Sequence, residues 1–337
     1  DLVDRVAKNL NFTLAMIQPN GEAETLFSHR QDRGEPDRRS GDYYVWRRLA
    51  SLLDEPRYAW MAERRLCEME RGSAHSCFVP LPLLLEDQRL SLKPVIDEKP
   101  GDAELFSTEG QIWRKRVGEV AMTIAADPGG HFFELTQGTW GGQVQADSIL
   151  SYHHGSTIID AVKLRWGTGT GGFRPETMNR TEPDTVQLSY VDPGWDHLAH
   201  FRRPGRDTLR HIEVDQRGQM DVRWVDGALH LKVRVDGWSD IPMNLQFLIR
   251  GNHQLTCEGE HTTLSPGGVT YTTGQTVTIS SGQGRGIRIE GLPASAHRMM
   301  MPDSRTIVGH AERRCHRLVA ALFTPVDLNL IITPIEL

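Results

Sequence analysis

The chain has 337 residues, of which 38% are hydrophobic and 24% charged, with a formal net charge of −6 at pH 7. That length and apolar fraction suffice for one large globular domain or two ordinary ones, and the acidic balance excludes a general nucleic-acid binder, which carries a basic excess. No apolar run approaches the roughly 18–20 residues that a bilayer-spanning helix needs, so no membrane span is expected.

Leu2, Val6, Leu10, Leu14 and Ile17 recur at steps of three and four, which predicts a first amphipathic helix. Pro19, Asn20 and Gly21 end that pattern. A second helix is expected over Tyr43–Leu53, with Val45, Leu49, Leu52 and Leu53 on its apolar face. A third is expected over Arg57–Arg71 on Ala59, Ala62, Leu66 and Met69. Between the first two, "FSHRQDRGEPDRRSGD" is too polar and too rich in Gly and Pro for a core element, and its length marks a functional or flexible loop.

The texture changes after Pro94, and from Gly110 short alternating segments are separated by Gly, Pro and Asp. The clearest is "QMDVRWVDGALHLKVRVDG", a hairpin turned by a type I′ Asp226-Gly227. Further strands are expected over 117–125, 131–135, 158–166, 185–191, 209–214, 244–249, 276–280, 286–290 and 328–333. With no helical pattern among them, they predict one large antiparallel β-sandwich over 96–337 following a helical region over 1–95. The fold class is therefore α+β and multidomain. Cys67, Cys77, Cys257 and Cys315 are widely spaced without a C-x-x-C, which reads as free or buried thiols rather than a disulfide framework. The first residue is Asp1, not Met, so a processed product or a fragment is expected. A removed signal peptide would place the protein outside the cell or in the periplasm, and its absence in the cytoplasm. Asn11-Phe12-Thr13 and Asn179-Arg180-Thr181 match the glycosylation tripeptide.

No phosphate-binding loop, nucleophile elbow, H-E-x-x-H or dinucleotide fingerprint is present, and "GTGTGG" at 167–172 reads as a turn between strands. The 14 histidines are the main chemical reserve. His153 and His154 are adjacent, so on a strand they point to opposite faces, and at most one can face a given cleft. The alternative for each is a strand-end residue satisfied by a backbone carbonyl. A denser cluster spans Ser28–Arg48, with His29, Arg30, Arg39, Tyr43, Tyr44 and Trp46. Guanidinium groups bind carboxylates or sulfates bidentately, phenols move protons, and aromatic faces stack on ligands. In "HFRRPGRDTLR", Arg202 offers a second contact for an anionic substrate beside the reading of a solvated turn.

Three stretches resemble the heparinase II/III-like polysaccharide lyases: "MIQPNGEAETLFSHRQDR", "SILSYHHGSTIIDAVKLRWGTGTGGFRPETM" and "ASAHRMMMPDS". The resemblance implies the end of an α/α toroid followed by a β-sandwich. It also implies that the missing part of the toroid lies in an absent N-terminal chain or a second subunit, or that the toroid is reduced. The implied partner is an acidic polysaccharide and the implied reaction is β-elimination at a uronic acid. Arg30 or Arg39 would neutralise the carboxylate, Tyr43 or Tyr44 would act as base or acid, and His153 or His154 would move the other proton. A structural divalent metal fits the same expectation, with no ligands assigned. The residues alone leave two other classes open. One is a glycoside hydrolase using two carboxylates among Asp32, Asp42, Glu134 and Asp160. The other is a carbohydrate-binding module stacking sugars on Trp140, Trp166 or Trp195.

Overall fold

The computed structural model describes residues 2–24, 43–72, 98–126, 149–166, 173, 175–192, 216–272, 274–282, 284–293 and 314–337. Three helices come first: α1 (Leu2–Ala15), α2 (Tyr43–Leu53) and α3 (Pro56–Gly72). α1 buries Leu10 and Leu14 of its expected stripe, and α3 buries Ala59 and Ala62. α2 forms where expected but on another face: it buries Tyr43, Trp46, Leu49 and Ala50 and leaves Val45, Leu52 and Leu53 exposed. Leu10, Leu14, Trp46, Leu49, Tyr58 and Ala62 bury their side chains in one cluster shared by the three helices. The Trp46 and Tyr58 rings meet edge-on at 5.5 Å, a preferred aromatic geometry.

Strands follow: β1 (Ala103–Ser107), β2 (Ile112–Val117), β3 (Val120–Ala125), β4 (Leu150–His154), β5 (Thr157–Trp166), β6 (Thr177–Glu182), β7 (Thr185–Asp192), β8 (Gln216–Val225) and β9 (Ala228–Asp236). Then come β10 (Pro242–Arg250), β11 (His253–Cys257), β12 (Glu260–Leu264), β13 (Val269–Tyr271), β14 (Thr276–Ser280), β15 (Arg285–Glu290), β16 (Cys315–Phe323) and β17 (Val326–Glu336). They form two sheets. One has eight strands in the order β1-β2-β3-β4-β5-β10-β16-β13, and the other has nine in the order β12-β11-β14-β15-β17-β9-β8-β7-β6. All pairings are antiparallel except β13 with β16. The inner faces of both sheets share one apolar core that includes Trp113, Tyr152, Phe247, Met220, Ile289 and Ile332. The α+β class is therefore as expected: three N-terminal helices and a large, mainly antiparallel sandwich.

Local sequence explains the strands. In β8 and β9 every second residue is buried, the two-residue period of a sheet with one wet face. Asp226 and Gly227 join them with φ of 47° and 90°, the doubly positive backbone of a type I′ turn. The strand expected over 117–125 is β3 from Val120 on, while Val117 closes β2 and Gly118 and Glu119 turn the hairpin between them. The expected strands over 131–135 and 209–214, the "GTGTGG" turn and the boundary at 95/96 lie outside the described residues.

β10 departs from simple alternation, since seven consecutive residues from Met243 to Ile249 are buried. Met243, Leu245, Phe247 and Ile249 enter the core. The alternate positions Asn244, Gln246 and Leu248 lie on the outer face of the eight-stranded sheet and are also buried. That outer face is covered and polar, which sets the location of the candidate site.

Candidate active site

On the outer face of the eight-stranded sheet, β2 supplies Arg114 and Arg116, β3 Thr123, β4 Ser151 and His153, β5 Asp160, and β10 Arg250, all but Arg250 buried below one-tenth exposure. Burying so many polar groups costs stability unless each finds partners. The partners come from the segment Met16–Glu24 after α1, which crosses the sheet as a strap. Arg114 donates from Nη2 to Ile17 O and Gln18 Oε1, both at 2.9 Å, and from Nη1 to Thr123 Oγ1 at 3.0 Å. Arg116 donates to Leu14 O, Ile17 O and Gly101 O. Glu24 accepts from Gln18 Nε2 at 2.6 Å, from Thr123 Oγ1 at 2.9 Å and from Ser151 Oγ. Complete burial lowers the Arg114 guanidinium to about 10, with the Glu24 carboxylate opposing that shift.

The two histidines part as strand alternation requires. His154 turns inward at the end of the sandwich, where its Nδ1 donates to Gly286 O at 2.8 Å and its Nε2 lies 3.5 Å from Glu336 Oε1. The ring is thus tied through Nδ1. His153 turns outward onto the polar face, where Arg250 and Arg114 stand close enough for their charges to act on it. Burial first, and those two cations next, hold its imidazole well below the usual histidine value of 6.5. Among the described residues, its buried Nδ1 has no hydrogen-bond partner. An orphan polar atom at such depth calls for a chemical explanation, and the side-chain amide of Asn244 on the same face shares that state.

The other sequence candidates fall elsewhere. Trp46 is fully buried among the helices and shows no face to a ligand. Tyr43 is buried on α2, and burial followed by the nearby Glu63 carboxylate raises its phenol, against the lowering effect of Arg47. Tyr44 is partly exposed, and its oxygen accepts from Arg48 Nη1 at 2.7 Å, one helical turn on. No hydrogen bond or ion pair joins either tyrosine to β4 among the described residues. His29, Arg30, Arg39 and Arg202 lie outside the described residues, as do Asp32, Asp42, Glu134, Trp140 and Trp195. Among the described residues, no three His, Cys, Asp or Glu side chains converge to hold a metal ion, and no helix is long and apolar enough to cross a membrane.

Sequence reasoning did not single out Arg114, Arg250, Glu22 or Glu24, and it weighed Asp160 only as a hydrolase carboxylate. The available signal was polar residues set at alternate places in an otherwise apolar strand, as Asn244 and Gln246 are in "MNLQFLIR".

The sequence matches no known family profile, and no curated protein matches it. Among solved structures, heparan sulfate lyase HepC from Pedobacter heparinus is similar at 9% identity and a TM-score of 0.49 over 96% of this chain and 45% of that one. A mutant of the same lyase gives 9% identity and a TM-score of 0.43, with the same coverage. A Paenibacillus xanthan lyase gives 8% identity and a TM-score of 0.47 over 88% of this chain and 31% of that one. The chain thus spans less than half the length of each.

Proposed function

We propose that the protein is a polysaccharide lyase that cleaves a uronic-acid-containing polymer by β-elimination, with His153 as the sandwich-side group that moves a proton. The observation that carries this reading is the buried, neutral His153 with an unpartnered Nδ1 beside two guanidinium groups. The sequence resemblance to heparinase II/III-like lyases agrees with it.

The chemistry asks three things of a site. A base removes the C5 proton of the uronate, and the C–H electron pair spreads onto the carboxylate. As the glycosidic C4–O bond breaks, that pair forms the C4–C5 double bond, and the departing oxygen takes a proton from an acid. Throughout, positive potential must stabilise the charge that builds on the carboxylate. A histidine held in its unprotonated form meets the first need at neutral pH. Arg114 and Arg250 supply positive potential beside it. In this reading Arg30 or Arg39 contacts the carboxylate, and Tyr44 is the proton donor, since its oxygen accepts from Arg48 and its O–H remains to donate.

The test is incubation of the full chain with a panel of uronate polymers while following ultraviolet absorbance of the unsaturated product. Wild type is expected to generate it. His153→Ala is expected to lose about a hundredfold or more in rate, the size of a lost proton-transfer group, while His154→Ala keeps most of it. New reducing ends without that absorbance would assign hydrolysis instead, and binding with neither signal would assign a non-catalytic module. Unchanged turnover in His153→Ala removes this residue from the mechanism.

A further inference from the structure

Arg250 ends β10 at the point where three parts of the chain meet. Its Nε and Nη2 donate to the two oxygens of Asp160 on β5, at 2.8 and 2.5 Å. Its Nη1 donates to Glu22 of the strap. Asp160 also accepts from Cys315 Sγ on β16 at 3.2 Å. The pair is shielded, with the Asp160 side chain 4% exposed and that of Arg250 19%. A planar fork that grips one carboxylate with two N–H groups and a second carboxylate with a third is a task for Arg that Lys cannot reproduce. β4 pairs with β5, so His153 sits opposite Ile158, two residues before Asp160.

We propose that Arg250 is a positioning residue for His153, and that its grip on Glu22 makes the setting of that imidazole depend on the strap being docked. The proposal rests on the reading of His153 as the proton-moving group. The strap covers the outer face only while its polar groups are held: Glu24 by Thr123 and Ser151, the Ile17 and Gln18 oxygens by Arg114, and Glu22 by Arg250. The charged groups that act on His153 are Arg250 from β10 and Arg114 from β2; Arg250 is in turn held by Asp160 of β5 and Glu22 of the strap, and Asp160 accepts from Cys315 of β16. If Glu22 lets go, the strap lifts, water reaches the face and the imidazole regains ordinary hydration.

The direction of change separates this coupling from plain charge removal. Deleting an anion near an imidazole lowers its protonation midpoint, whereas wetting a buried imidazole raises the midpoint toward 6.5. The experiment uses the full chain with isotope-labelled histidines, the His153 ring signals being assigned by their loss in His153→Gln. Midpoints are followed against pH in wild type, Glu22→Gln and Arg250→Lys. Both variants keep a cation at position 250, so Asp160 is not left buried and unpaired. Expected is a rise of the His153 midpoint in both, with kcat falling about tenfold to a hundredfold, as displaced catalytic groups do, and KM changing little. An unmoved or lowered midpoint in Glu22→Gln overturns the coupling. The spectra need no polymer, so a wild type that turns over no uronate polymer sinks the lyase reading alone.

Discussion

His153 and His154 differ by one position and have opposite surroundings. His154 is anchored through a backbone carbonyl, whereas His153 keeps an orphan nitrogen beside two cations. The split was legible in the sequence, because alternation on a strand is a matter of geometry. The neighbours that give His153 its character were not, because Arg114, Asp160 and Arg250 come from strands far apart in the chain and share no local pattern. A further consequence at this scale concerns Cys315, which is fully buried. Burial first, and the Asp160 carboxylate next, push its thiol far above the ordinary range, and the thiolate is the reactive form. Cys315 is therefore expected to resist alkylation in the native protein and to label fully only after denaturation. Peptide mass spectrometry after timed labelling checks this, and native labelling of Cys315 as fast as that of the half-buried Cys257 would count against it.

At the scale of elements, the three helices were readable because apolar residues recur at steps of three and four, although in α2 only Leu49 of the expected stripe is buried. Hairpins with strong turn chemistry were readable too, Asp226-Gly227 above all. The β4–β5 hairpin was harder to read. "LSYHHGSTIIDAVKL" suggests one strand opening on two histidines, but Gly155 takes a φ of 56° and reverses the chain. A glycine flanked by polar and small residues is a weaker turn signal than Asp-Gly. Trp46 shows the opposite difficulty. It lies beside a charged loop in sequence, and only the packing of α2 against α3 reveals that its ring is core. Trp46→Ala is expected to lower stability by about 3–5 kcal/mol, the usual cost of deleting a buried aromatic. Denaturant titration reads the effect. Loss of polymer binding at unchanged stability would instead place the ring at a ligand.

For the molecule as a whole, three buried histidines make stability sensitive to acid: His153 on β4, His253 on β11 and His316 on β16. Burial is the leading cause that holds His153, His253 and His316 below 6.5. Arg250 and Arg114 add to it at His153, and Arg317 does so at His316, while backbone contacts at Gly251, Ser156 and Ser265 oppose it at the other two. A group whose folded value is depressed binds protons more readily in the unfolded chain. The stabilisation from the neutral rings is thus complete above 6.5 and is lost as pH falls below it, down through the folded values. Thermal midpoints are expected to be level above about pH 7 and to drop between about pH 6.5 and 5. Replacing His153 with Gln is expected to flatten part of that drop, and an identical slope in the variant would exclude His153 as a contributor.

The order of the nine-stranded sheet has a consequence for synthesis. β17 lies between β15 and β9, pairing Ile289 with Ile332 on one side and Leu330 with Leu231 on the other. Until Val326–Glu336 has left the ribosome, the sheet exists only as two unjoined halves, each exposing a bare hydrogen-bonding edge to other chains. β17, which joins the two halves from between β15 and β9, is therefore the keystone of the sheet. A nascent chain stalled before Val326 is a species for which chaperone capture is needed.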